Sequence, residues 1–396
     1  MPPTASDASE RQPPGEIFLR FLKFGLLAWG GPVAQIAMLK RELVEEEHWL
    51  PTDRFNRLLA AYQVLPGPEA HELCVHLGMM KGGRIGGILA GLGFMLPGLV
   101  LTLAMAWLYV RLDLHTPMLA ALFLGMQVGV VALIVRAVHR IAGHVLVDAP
   151  AWFVGFASAA ATMLGASFWL ILPASGLFYA LWTSGRRPTA IVILAVAAAG
   201  ASWGTGISVE LSVGSAITAG TATAAALFLS GLKAGLLTFG GAYTAIPFVR
   251  EDAVGRGWIT DRQFLDSIAL TGVLPAPLII FATFAGYVAA GLGGALAITV
   301  GIFLPAFAFA LLFYERLEKI AENDRLHRIL EGVAAGVVGL IAVTAVQLGV
   351  NVAGSAPLPV AAVVFAVSLA LLYFWKSKLA VLAVVAGSGM GGIILF

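Results

Sequence analysis

Two lysines sit where a charge is costly. Lys233 lies in the apolar stretch Phe228-Leu-Ser-Gly-Leu-Lys-Ala-Gly-Leu-Leu-Thr-Phe-Gly-Gly-Ala242, and Lys23 in Phe18-Leu-Arg-Phe-Leu-Lys-Phe-Gly-Leu-Leu-Ala-Trp-Gly-Gly-Pro32. Hydropathy places Lys233 about sixteen residues into its apolar segment, where a charge costs roughly a few kcal/mol and marks an ion pathway by default. Lys23 is nearer the start of its segment and can snorkel to the interface. Paired positive charge suits an oxyanion. The plainer alternative has each lysine balancing a nearby acid or capping carbonyls.

Each lysine phrase ends in a glycine pair, Gly30-Gly31 and Gly240-Gly241, and each is followed by a proline pair, Pro66-Gly67-Pro68 and Pro275-Ala276-Pro277. One such motif alone would only ease helix packing or kink a helix. Both kinds of break in both phrases point to interrupted helices, which a membrane tolerates where the freed backbone groups line a cavity or are buried in protein. A helix restarting after a break presents unpaired N–H groups and a positive dipole end, which suits an anion. Gln63 and Thr271 precede the proline breaks as further donors.

Beyond the first proline break, Glu69, Glu72 and His76 fall at i, i+3 and i+7 on one helical face, with His71 directed elsewhere. The matching stretch from Leu278 is apolar apart from Thr283. The acidic face reads either as a proton relay or as a water-exposed vestibule. His71, Glu72 and His76 lack HExxH spacing, so no metal is expected. The single cysteine, Cys74, excludes an internal disulfide and reads as a packing residue.

The elements that must position these groups are membrane segments. Hydrophobic residues make up 59% of the chain and charged residues 12%, against about 25% charged in soluble domains; the mean hydropathy is +0.91. The hydropathy profile gives thirteen candidate segments: 17–38, 55–80, 85–109, 118–136, 151–166, 168–183, 189–207, 217–248, 264–290, 291–313, 329–350, 358–375 and 379–396. They lack the ten-residue alternation of a membrane barrel. Residues 1–16 are polar and Pro-rich with no apolar core, and read as a disordered tail, not a signal peptide. Nothing in the pattern suggests nucleic acid.

The lysine phrases are the start of a longer duplication. Arg41-Glu42 matches Arg250-Glu251, Trp49 matches Trp258, Phe55 matches Phe264, Val64-Leu65-Pro66 matches Val273-Leu274-Pro275, and Leu96-Pro97 matches Leu304-Pro305. Residues 17–185 form one copy and 217–396 the other, joined through a connecting transmembrane segment within 186–216. Basic loops favour the cytoplasm. Arg316, Lys319, Arg325 and Arg328 follow the third segment of the second copy, where the first has Arg111 alone. Arg136 and Arg140 follow the fourth segment of the first copy, where the second has no basic residue. With Arg186, Arg187, Lys376 and Lys378, this places equivalent loops on opposite sides, the N-terminus in the cytoplasm and the C-terminus outside. Lys40, Arg41, Arg54 and Arg57 run against the rule. The expected fold is an all-α polytopic membrane protein of about 10–13 transmembrane segments, two homologous halves in inverted-topology repeat with broken helices.

The phrases Leu22-Lys-Phe-Gly-Leu-Leu-Ala-Trp-Gly-Gly-Pro32, Gln63-Val-Leu-Pro-Gly-Pro-Glu-Ala70 and Leu237-Thr-Phe-Gly-Gly-Ala-Tyr-Thr-Ala-Ile-Pro247 strongly resemble the chromate ion transporter family in its long, two-domain form. The resemblance covers nearly the whole chain after residue 16. It implies an inner-membrane exporter of chromate that confers chromate resistance, with a relation to sulfate handling. Ala276 stands where the family usually has the glycine of Pro-Gly-Pro, and Trp29 where it usually has Phe.

The function expected is therefore secondary transport of a small inorganic oxyanion, chromate, with sulfate uptake or exchange as the alternative. Substrate would be met by Lys23, Lys233, Gly30, Gly31, Gly240, Gly241, Gln63, Pro66, Gly67, Pro68, Thr271, Pro275 and Pro277, and protons by Glu69, Glu72 and His76. Moving one charge across 100 mV is worth about 2.3 kcal/mol, so a dianion leaving an inside-negative cell gains about 4.6 kcal/mol, enough for a roughly two-thousandfold gradient. Export needs no ATP, no GxxxxGK[ST] motif is present, and no cofactor is expected. An intramembrane hydrolase built on Glu69 to His76 lacks a triad or HExxH set, and a passive anion channel remains a further alternative. The surroundings are membrane lipid, and the sequence leaves a homodimer open.

Overall fold

A computed structural model describes residues 11–112, 116–204, 221–239, 241–314 and 323–396. Gly240, Arg316, Lys319 and the first ten residues of the polar tail lie outside the described residues. Helix α1 (Pro14–Leu26) begins ahead of residue 17, with proline in its first turn, where a missing N–H costs nothing.

The first copy continues with α2 (Gly31–Leu39, extended by a π-helical turn Lys40–Glu46), α3 (Thr52–Val64), α4 (Glu69–Arg111), α5 (Pro117–Val145), α6 (Ala149–Met163) and α7 (Phe168–Thr183). Helix α8 (Arg187–Gly204) connects to the second copy. That copy comprises α9 (Ala224–Leu236), α10 (Ile246–Ala253), α11 (Asp261–Gly272), α12 (Phe281–Phe313), α13 (Asp324–Ser355), α14 (Leu358–Phe374) and α15 (Ala380–Leu395). The described residues contain no strand. Among the described residues, four stretches are long and apolar enough to cross a bilayer: Glu69–Arg111, Pro117–Val145, Leu278–Phe313 and Asp324–Ser355.

Helix α4 is not one rod. Gly82 and Gly83 leave helical geometry, Gly83 at φ 60°, ψ −157°, a conformation suited to glycine. Gly78 and Gly86 then face each other with no room for a methyl group, and Val75 reaches Gly91. In a continuous helix Val75 and Gly91 would be about 24 Å apart, so the chain reverses into a hairpin. Helix α12 reverses identically at Ala290 and Gly291 (φ 63°, ψ −156°), bringing Gly286 against Gly294. The first arm of α4, Glu69 to Lys81, is about 20 Å long, short of the roughly 30 Å of hydrocarbon. It is separated from α3 by the break expected within 55–80.

The repeats are inverted in space. The second arms of α4 and α12 lie antiparallel at the centre, Gly87 against Leu311 and Gly91 against Phe307. Beside each runs the lysine-bearing helix of its own copy: Gly93 receives the Phe18–Leu22 turn of α1, and Gly301 receives the Phe228–Leu232 turn of α9. Gly25 meets Pro97 as Gly235 meets Pro305. The remaining helices are exchanged. Helix α5 of the first copy packs on α14 and α15 of the second, while α13 packs on α6 and α7 of the first. Glycines set these close approaches too, Gly125 and Gly129 against Ser388, and Gly332 and Gly336 against Ser175, the small-residue packing that replaces hydrophobic drive inside lipid.

Candidate functional site

The four breaks converge where the copies meet. Gly30 (φ 88°) and Gly31 (φ 76°) take left-handed conformations between α1 and α2, and Gly241 (φ 126°) opens a 3-10 turn, Ala242–Ala245, between α9 and α10. Each proline break is then hydrogen-bonded to the glycine break of the other copy. The Gly67 N–H donates to the Thr238 carbonyl (2.8 Å). The Gln35 side chain donates both to the Ala28 carbonyl (3.0 Å) and to the Ala276 carbonyl (3.1 Å). Thr244, at the matching place in the second copy, donates to Gly241 O (2.7 Å) and accepts from the Phe239 N–H (3.1 Å). Backbone groups freed by the interruptions are thus paired inside protein, as hydrocarbon demands.

Ala276, the departure from Pro-Gly-Pro, is accommodated by its neighbour. Gly67 adopts φ 150°, whereas Ala276 is not among the residues of positive φ. The extra methyl packs on Gly98, where a Cβ would stand 2.5 Å from it. The corresponding position of the second copy is Ala306. The first copy thus has glycine both in the break and in the long helix, and the second has alanine at both, so the contact between copies sets Ala276 against Gly98.

Past the first break, the acids and histidines begin the short arm of α4. Glu69, His71, Glu72 and His76 are all buried, so of the two readings of this face the water-exposed vestibule does not match its enclosure by protein. Glu72 lies over Gly67, and among the described residues neither of its carboxylate oxygens has a hydrogen-bond partner. His71 points into the other copy, as its divergence from the Glu69–Glu72–His76 face implies. Its ring packs against Phe303 (4.9 Å) and Phe307 (4.8 Å), with both nitrogens unpartnered. His76 Nδ1 is 2.9 Å from the Tyr62 hydroxyl.

The lysines are less free than the sequence suggests. Helix α9 starts only at Ala224, capped by the Thr223 hydroxyl, which puts Lys233 in its last turn. Lys233 Nζ lies 2.6 Å from Asp252 Oδ2 and 4.9 Å from the Phe168 ring centroid, with side-chain exposures of 13% and 8% for the pair. Lys23 is 64% exposed and 3.4 Å from Glu42. Each lysine therefore has an acid beside it. The Thr271 hydroxyl is engaged by the Ser267 carbonyl (2.6 Å), and Gln63 is exposed.

Three residues that the sequence did not assign to the site belong to this region. Gln35, an amide buried in an otherwise apolar helix, could have been found by that contrast. Arg140 of α5, which looks like a loop anchor, acts electrostatically on both Glu69 and Tyr243. The Lys378 carbonyl would stand 2.8 Å from a Cβ on Gly30, so the approach to α15 touches the first glycine break. Broken helices, buried acids and nearby cations can together bind an anion and move a proton beside it.

Comparison with known proteins matches the chain to a family model described as chromate transporter, over residues 15–217 and 225–393. It is 56% identical to a chromate transport protein of Pseudomonas aeruginosa across 100% of this chain and 97% of that one. Identity is 29% to a chromate transport protein of Cupriavidus metallidurans, covering 96% of this chain and 93% of the relative. An uncharacterised transporter of Methanocaldococcus jannaschii is 26% identical over 96% and 94%. No solved structure matches.

Proposed function

The chain belongs to the chromate transporter family, and we propose that it is a secondary transporter that exports chromate across the inner membrane, with its N-terminus in the cytoplasm. The observation that carries this reading is the reciprocal bonding of each proline break to the other copy's glycine break. It sets four helix interruptions at the repeat interface, the place where inverted-repeat transporters bind ions and substrates. The domains are residues 17–185 and 217–396, with 186–216 connecting them.

Backbone groups at Gly30-Gly31, Gly240-Gly241, Pro66-Gly67-Pro68 and Pro275-Ala276-Pro277 frame the substrate, with Gln63 and Thr271 at the rim. Lys233 supplies the main positive charge, and the oxyanion takes the place of Asp252 beside it. Lys23 contributes a weaker, more solvated charge. Rocking of one repeat against the other alternates access. The membrane potential drives a dianion outward, and Glu69, Glu72 and His76 provide the route for a coupled proton.

The test is uptake of labelled chromate into everted membrane vesicles, energised and then uncoupled, with and without excess sulfate. Saturable accumulation that collapses on uncoupling is the expected result. Absence of accumulation, with sulfate moving instead in right-side-out vesicles, would overturn the export reading in favour of sulfate uptake or exchange.

A further inference from the structure

An apolar hollow lies away from the breaks, between α5, α13 and α14. It has a volume of about 540 Å³ and is lined by Val131, Val135, Val346, Gly349, Ala362 and Phe365. Val346 and Ala362 are exposed, so the hollow opens sideways as a groove. Its one titratable lining residue is His139, at one end. There the His139 ring hydrogen-bonds the Tyr373 hydroxyl, and the Arg136 guanidinium lies 4.5 Å from the centre of the Tyr373 ring. Arg136 has no carboxylate partner among the described residues, nor has Lys376, three residues beyond Tyr373.

The depth of this end fits a headgroup. Helix α5 is centred on Val131, and about 20 residues cross the hydrocarbon. His139 therefore stands about 3 Å inside its boundary and Arg136 about 7.5 Å inside, close enough for a long guanidinium side chain to snorkel to the headgroups, on the side carrying the basic loops. The groove runs from that boundary toward the membrane centre, apolar along its length and cationic at its mouth. One turn of a second helix with its side chains, 10–12 Å across, takes up about as much volume as the whole groove, whereas a single alkyl chain can thread it.

We propose that this groove is a binding site for an anionic glycerophospholipid, with one acyl chain between α5, α13 and α14 and the phosphate at Arg136 and His139. Cationic pockets between transmembrane helices bind acidic headgroups by this chemistry. The site ties α5 of the first copy to α13 and α14 of the second, so its occupant would brace the exchanged helices.

Native mass spectrometry of the full-length protein, purified in mild detergent from equal phosphatidylglycerol and phosphatidylcholine, tests the proposal. The wild type is expected to retain phosphatidylglycerol preferentially. V346W and A362W, two separate fillings of the groove from its exposed wall, are expected to lose both lipids while keeping a cooperative thermal transition. R136Q is expected to retain the chain but lose about fivefold in preference for phosphatidylglycerol, the effect of one cation beside an acidic headgroup. Unchanged retention in whichever filled variant folds would overturn the proposal. So would conversion of a dimer to a monomer by A362W with retained lipid unaltered, which would assign the groove to a second copy.

Discussion

The two short arms that follow the proline breaks occupy equivalent places and carry opposite chemistry. Both lead into a glycine reversal of nearly identical backbone angles, at Gly83 and Gly291, and both lie beside a lysine-bearing helix seated on glycine. Yet the first arm opens with Glu69, His71 and Glu72, and the second with Leu278, Ile279 and Ile280. The cations divide the other way: Lys233 is buried against Asp252, whereas Lys23 is largely exposed beside Glu42. The difference teaches that backbone geometry, set by glycine and proline, was duplicated as a frame, while acid and buried cation were placed on different copies.

Removing the buried cation should break that asymmetry hardest. Lys233→Ala leaves the Asp252 carboxylate without its main partner, a loss of about 3–5 kcal/mol for a buried pair, and transport should vanish. The double variant K233A/D252A should recover most of the thermal stability and still fail to transport. Recovery of transport in the double variant would show that Lys233 serves structure alone.

The alanine–glycine exchange offers a second test. Gly98→Ala should cost about 1–3 kcal/mol through overpacking against Ala276, read as a lowered unfolding midpoint. Adding Ala276→Gly, which reproduces the arrangement of Gly67 and Ala306, should restore it. If A276G gives no rescue, the two breaks are not equivalent frames.

Glu72→Gln addresses the acids. It keeps the shape over Gly67 and removes the titrating group, so the unfolding midpoint should hardly move while transport stops responding to an imposed pH step. An unaltered pH response would remove Glu72 from the proton route. The smallest effect belongs to Lys23→Ala, since an exposed pair contributes only about 0–1 kcal/mol. A loss equal to that of Lys233→Ala would erase the contrast between the copies.

Much of the frame was legible because glycine and proline are conspicuous in apolar segments. The duplication, the four breaks and the inversion all follow from residues such as Gly30, Pro66 and the loop arginines. The place of Lys233 in the last turn of α9 was not legible, because hydropathy cannot see that Thr223 caps this helix and sets its start. Asp252 went unnoticed as its partner because the pairing depends on how α10 folds back after the break. The exchange of α5 and α13 between copies was not legible either. Helices that meet lipid are apolar on every face, so their periodicity does not reveal which side touches protein. Arg140, read from the sequence as a topology anchor, also lies within electrostatic reach of Glu69.

The central claim is that the crossing of the breaks, with Lys233 beside it, is the oxyanion site. Equilibrium binding of labelled chromate to the purified full-length protein tests it most directly, comparing the wild type with K233A/D252A after confirming that both unfold cooperatively. The account predicts saturable binding to the wild type, competed by sulfate, and none to the double variant. Equal affinity in the two proteins would contradict it and move the site elsewhere in the fold.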